Sequence, residues 1–303
     1  MTAPPSSARR GSYVERFPIP ALAGSVRTVW VQSVGDVPYV QRYLPTGGVE
    51  VHWPLGGRPH LLGPLTGPLV ELIPAGTVVV GVRFQPSSAL LGATSLEDIV
   101  DQRVAVDDLG YRWVERLGEA MLLAPTPGQA LQLLQRFLLR HLPVTRRDPL
   151  VDEVVRRLMP WTAVEVATVA DEVGLSTSQL RRRCLQALGI GPKALQRTLR
   201  FQGFLALAQA GARATGRRGV DGMAGLAVDV GYADQAHLSR EVRRLTGLTP
   251  TALLGGDLDR CLCGHDHSAS YAPFLAGRQP RASSKLPGAS VRDPFKTRDG
   301  ARS

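Results

Sequence analysis

The segment Ala170-Asp171-Glu172-Val173-Gly174-Leu175-Ser176 recurs as Ala227-Val228-Asp229-Val230-Gly231-Tyr232-Ala233 at an offset of 57 residues. Leu180, Arg182, Gly189 and Pro192 then recur as Leu238, Arg240, Gly247 and Pro250 at an offset of 58, so the second copy carries one residue more in its turn. A solenoid needs about three or more repeats to bury a core, and two copies of so long a period are instead a duplicated supersecondary unit. In each copy a short helix ends at a glycine able to turn left-handed, and a longer helix begins at a capping residue after the turn. That order is a helix-turn-helix. Ser176 is placed to cap the second helix of the first copy, with Gln179 completing a capping box.

The second helix of each copy divides into two faces. Leu180, Cys184 and Leu188 stand at i, i+4, i+8 and are expected in a core, as are Leu238, Val242 and Leu245 in the second copy. Ser178, Arg181 and Arg182 point away from the first stripe; Gln235, Ser239 and Arg240 point away from the second. Arg can bond guanine O6 and N7 bidentately and Gln can pair with adenine, so these faces carry the chemistry that a DNA major groove reads. One polar helix face is more often simply solvated, but two copies sharing the turn and the Leu-x-Arg spacing favour the groove. Arg156, Arg157, Arg183, Arg197, Arg200, Arg243 and Arg244 are expected on phosphates or at the surface, adding affinity without sequence preference.

Charge agrees with this reading. The net charge of +10 is uneven: residues 1–150 hold 14 Arg against 12 Asp and Glu, leaving +8 for residues 151–303. An excess of that sign concentrates polyanions, nucleic acid first and anionic lipid second. A composition of 44% hydrophobic and 20% charged residues describes about two globular domains and excludes disorder throughout. No run of about 18 apolar residues is present to span a membrane. Three cysteines make no disulfide framework, and the N-terminus has no apolar leader, so the expected compartment is the cytoplasm.

On these residues the stretch from about Ala163 to Leu254 resembles the DNA-binding domain of the AraC/XylS family of bacterial transcription regulators. GYADQAHLSREVRRLTGLTPTAL, Gly231 to Leu253, is similar to that family's second helix-turn-helix. The resemblance implies two such units joined by a connecting helix, each placing its second helix in successive major grooves on one face of double-stranded DNA. It adds His237 to the candidates Ser178, Arg181, Arg182, Gln235, Ser239 and Arg240, and it implies RNA polymerase as a further partner. Cys184 and Val242 stand where the family usually has phenylalanine. The connector AGARATGRRGVDG, Ala210 to Gly222, is longer and richer in glycine than usual, which predicts a loose rather than a rigid link.

In the N-terminal half, Val26–Gln32, Val49–Trp53 and Val78–Phe84 read as strands between Gly and Pro turns, and 112–123 and 128–142 read as helices. YLPTGGVEVHWPL, GPLTGP and GVRFQPSS resemble an uncharacterised, cupin-like domain found ahead of AraC-type modules. A small-molecule effector would enter a barrel mouth lined by Trp30, His52, Trp53 and Arg83, although the same residues can equally be plain core. The two helices are candidates for a homodimer contact.

The expected architecture is α+β. A disordered lead over 1–17 precedes a sensor or dimerisation domain over 18–148, built as a small β-barrel or sandwich with helices. An all-α double helix-turn-helix domain over 149–256 follows, and then a flexible basic tail over 257–303. In the tail, Cys261, Cys263, His265 and His267 alternate as zinc or copper ligands would on an extended segment, though zinc sites usually have wider gaps. Apart from that cluster no cofactor is implied. A metal- or redox-gated regulator and an interaction module that no longer reads DNA are the alternatives. No nucleophile elbow, phosphate loop or HExxH indicates an enzyme.

Overall fold

The computed structural model describes residues 11–88, 95–109, 113–141, 148–162, 164–215, 222–255, 268–276 and 278. Its N-terminal half holds the strands β1 (Ser12–Arg16), β2 (Val26–Ser33), β3 (Tyr39–Tyr43), β4 (Glu50–Pro54), β5 (His60–Leu62), β6 (Leu69–Ile73), β7 (Val78–Phe84) and β8 (Arg103–Ala105). Six of them form an antiparallel sheet in the order β1-β2-β7-β4-β5-β8, while β3 and β6 pair as a separate ribbon. Among the described residues the ladder does not close into a barrel.

Alternation along the three central strands sorts their side chains between two layers. Val29, Val31, Val51, Trp53, Val80 and Val82 face the helices α1 (Val114–Leu122) and α2 (Pro127–His141) in one hydrophobic core with Leu117, Met121, Leu134 and Leu138. Thr28, Trp30, Gln32, Glu50, His52 and Arg83 therefore face the other way. Gly81 makes room for Trp30 across the β2–β7 ladder, since a Cβ there would lie 2.0 Å from the indole. His52 and Trp53 consequently point to opposite layers.

The C-terminal half is helical: α3 (Pro149–Arg157), α4 (Val166–Glu172), α5 (Thr177–Leu188), α6 (Pro192–Thr215), α7 (Met223–Asp229), α8 (Gln235–Thr246), α9 (Pro250–Gly255) and α10 (Ser268–Ala276). Two cores lie side by side. Val151, Val169, Ala170, Leu180, Cys184 and Leu188 fill the first; Leu226, Ala227, Val230, Leu238, Val242 and Leu245 fill the second. The long α6 belongs to both, giving Leu195 and Leu199 to one and Phe201, Phe204 and Leu205 to the other. A helix buried on several sides shows no single apolar stripe, as expected for a spine between two units.

In three segments expected to be irregular, the described residues hold regular structure. The lead over 1–17 contains β1, paired with β2 from Ser12↔Ser33 to Arg16↔Val29. The first part of the connector, Ala210 to Thr215, is the end of α6, while residues 216–221 lie outside the described residues. The tail contains α10, which packs along α6 and touches β1 and β2.

Candidate nucleic-acid interface

Each candidate reading helix, α5 and α8, is started by a side-chain cap. At α5 the Ser176 Oγ accepts the Gln179 N–H at 3.2 Å, and Gln179 Oε1 accepts the Ser176 N–H at 2.9 Å, forming the reciprocal capping box. At α8 the Asp234 carboxylate accepts the His237 N–H at 2.6 Å. Both helices stop at a left-handed glycine, Gly189 and Gly247. The predicted stripes are buried throughout: Leu180, Cys184 and Leu188 under α5, and Leu238, Val242 and Leu245 under α8. Cys184 sits on the apolar side, where burial first and the Asp148 charge second push its thiol up to about 11, which makes it an inert core residue.

Ser178, Arg181 and Arg182 are exposed on α5, as are Gln235 and Arg240 on α8. Among the described residues Arg181, Arg182, Arg240, Arg243 and Arg244 have no carboxylate partner, so their donors face water. Several other arginines are already engaged. Arg183 Nε donates to Asp148 at 2.5 Å, Arg157 bonds both Glu153 and Glu172, Arg156 bonds Glu153, and Arg197 stands 3.7 Å from Glu241. Ser239 is half-buried and donates to the Gln235 carbonyl at 2.8 Å. His237 is also half-buried; its ring meets Tyr232 edge-on at 5.2 Å, and its Nδ1 lies 3.4 Å from the Ala233 N–H. Sequence alone could not show that His237 serves the turn it follows.

The N-terminal half touches the far end of both reading helices. The 3₁₀ turn Leu96–Ile99 packs on α5 so closely that a Cβ on Gly189 would lie 2.6 Å from the Leu96 carbonyl oxygen. On α8, Arg42 Nη1 donates to the Thr246 carbonyl at 3.0 Å. A positive guanidinium at that end complements the partial negative charge of the last carbonyls.

Between the polar face of the large sheet, the β3–β6 ribbon, α6 and α10 lies a cavity of about 110 Å³. Trp30, His52 and Arg83 line it, and Trp53 does not: its ring packs in the other layer, 6.3 Å from Trp113. Arg83 is fully occupied. Its Nε donates to Glu50 at 2.6 Å and its Nη1 to Glu15 at 2.6 Å, while Ser270 of α10 bonds both Arg83 and Glu15. Burial pushes the Glu50 carboxyl up, but Arg83 and then His52 outweigh it and hold the group below the usual carboxylate range. Arg27 and Arg42, which sequence reasoning passed over, line the same space. A lone arginine within the Val26–Trp30 apolar run was the available signal. Arg27 is pushed down to about 10 by its burial and then by the like charge of Arg83.

Two capped helices, α5 and α8, over two cores joined by the one long helix α6 define a double helix-turn-helix domain. Residues 169–255 match the family model described as a helix-turn-helix domain. Residues 14–105 match a domain of unknown function (DUF6597). No curated protein matches the chain. Solved structures similar to it include ToxT from Vibrio cholerae O395, at 11% identity over 84% of this chain and 99% of that one, with a TM-score of 0.43. Unsaturated fatty acid-bound ToxT from strain SCE256 gives 12% identity over 84% and 97%, with a TM-score of 0.40. ToxT bound to (E)-4-(8-methylnaphthalen-1-yl)but-3-enoic acid gives 11% over 80% and 98%, with a TM-score of 0.42. Cys261, Cys263, His265 and His267 lie outside the described residues, and no helix among those described is long and apolar enough to cross a membrane.

Proposed function

We propose that the chain is a sequence-specific, DNA-binding transcription regulator whose α5 and α8 enter adjacent major grooves. Arg181 and Arg182 on α5, and Gln235 and Arg240 on α8, make the base contacts, with Ser178 and Ser239 beside them. One observation carries the reading: in both copies an exposed, unpaired Arg-bearing face lies opposite a fully buried stripe. A solvated helix needs no such face twice, at matching positions. Arg243 and Arg244, at the outer end of α8, supply phosphate contacts, and the engaged Arg156, Arg157 and Arg183 hold the scaffold. A small effector occupies the cavity beneath the polar sheet face and sets the relation between the N-terminal half and the readers.

Selection of bound fragments from genomic DNA, followed by titration of the enriched site and of random DNA, tests this. Arg182→Ala or Arg240→Ala should cost about 1–3 kcal/mol on the enriched site and little on random DNA. Affinity should also fall steeply with added salt as phosphates are neutralised. Equal losses on both DNAs would assign the two arginines to the backbone, and the absence of any enriched site would remove the function.

A further inference from the structure

We propose that Asp148 withholds Arg183 from the DNA backbone, so that one cation of α5 is kept out of binding and the affinity for any duplex is lower than the charge of the helix allows. The proposal rests on the regulator reading. It adds to that reading a positioning residue that lies outside both helix-turn-helix units.

Asp148 is the N-cap of α3, the first helix of the helical half. Its Oδ1 accepts the Leu150 N–H at 3.0 Å and the Val151 N–H at 3.4 Å, which leaves Oδ2 for the Arg183 Nε at 2.5 Å. Burial pushes the Asp148 carboxyl up, but the Arg183 bond and the two backbone N–H groups outweigh it and hold the group below the ordinary carboxylate range. The pair is therefore charged on both sides at neutral pH.

Arg183 differs from the other engaged arginines in where it stands. Arg156 and Arg157 lie on α3 and Arg197 on α6, whereas Arg183 lies on α5 next to Arg182. Both border one surface hollow, together with Gln179, Gln186 and Asp148. A phosphate in that hollow meets Arg182 without a carboxylate partner and Arg183 with one.

Charge then decides what the phosphate gains. The Asp148–Arg183 pair sums to zero, so a phosphate that nears the guanidinium nears the carboxylate as well, and the attraction largely cancels. Displacing Asp148 gains little either. Two backbone N–H bonds keep its carboxylate in place, and Arg183 would exchange one charge-assisted bond for another. Counterion release follows the phosphates that a cation neutralises, so Arg183 adds nothing to the salt dependence while Asp148 holds it.

The test uses the full chain and a random-sequence duplex, read by fluorescence anisotropy as sodium chloride is raised. Asp148→Ser keeps an oxygen that can cap α3 but removes the carboxylate. It should bind at least threefold tighter than wild type at low salt, with a slope of log affinity against log salt steeper by about 0.9, the increment for one phosphate. Arg183→Gln alone should change affinity less than twofold, and added to Asp148→Ser it should abolish the gain. A gain that survives in the double variant is plain relief of negative charge and overturns the proposal. Arg183→Gln alone weakening binding threefold or more overturns it too, and that comparison stands even if Asp148→Ser fails to fold. A wild-type chain that binds the duplex while Asp148→Ser binds no tighter defeats this proposal alone; a duplex that neither chain binds defeats the regulator reading with it.

Discussion

Gly189→Ala is the substitution that most directly weighs the contact between the two halves of the chain. Gly189 closes α5 at φ +71°, a conformation that costs an ordinary L-residue about 1–2 kcal/mol. A methyl group there would also lie 2.6 Å from the Leu96 carbonyl oxygen and 2.8 Å from its carbon, so backbone of the N-terminal half has to move. Overpacking of that kind costs about 1–3 kcal/mol more. Gly174 supplies the baseline. It has nearly the same conformation, φ +70°, but nothing lies within 4 Å of an added methyl. Gly174→Ala should therefore lose only the conformational part, and Gly189→Ala about 2–5 kcal/mol in all. Urea denaturation of the full chain, followed by circular dichroism, gives both values. Equal losses for the two substitutions would show that the 96–99 turn does not bear on the end of α5 in solution, and the reasoning about a fixed contact would fail.

Two further measurements address the caps and the polar layer. Ser176→Ala removes half of the capping box and should cost about 1 kcal/mol of stability; an unchanged denaturation midpoint would mean that α5 needs no cap. Glu50 is held by Arg83 and His52 below its unfolded value of about 4.3. A carboxyl depressed in the folded state contributes stability above that unfolded value and loses it as pH falls toward the folded one. Glu50→Gln should therefore be less stable than wild type at pH 7, with a gap that narrows toward pH 3; a gap of constant size would place the stabilisation elsewhere.

The helical half was legible because its signals are local. Capping residues, left-handed glycines and an apolar stripe every third or fourth position name α5 and α8 without reference to anything distant, and the duplication confirms each from the other. Strands β2, β4 and β7 were legible for the same reason, since they run through the core and are rich in valine. The edge strand β1, SYVER, is half exposed and mostly polar, and only its ladder to β2 makes it a strand. Helix α10, SASYAPFLA, has a proline inside and no apolar stripe; it exists because Phe274 is buried and packs beside Arg27, and because Ser270 reaches the Arg83–Glu15 pair. Neither partner is near in sequence. The cavity was half legible. Trp30, His52 and Arg83 were identified, but adjacent strand positions face opposite ways, and that rule alone separates His52 from Trp53. Arg27, Arg42, Gln202 and Ser270 come together only in three dimensions.

If α5 and α8 read DNA as proposed, the trailing end that each rests on the N-terminal half gives that half a part in recognition. On that reading the two helices would choose the words of a binding site, while the body behind them would act as a ruler for the gap between the words. On that reading a C-terminal fragment freed of it would keep both words, with α6 alone left to set the distance between them, so the vocabulary and part of the metre of this protein would be written in different parts of the chain.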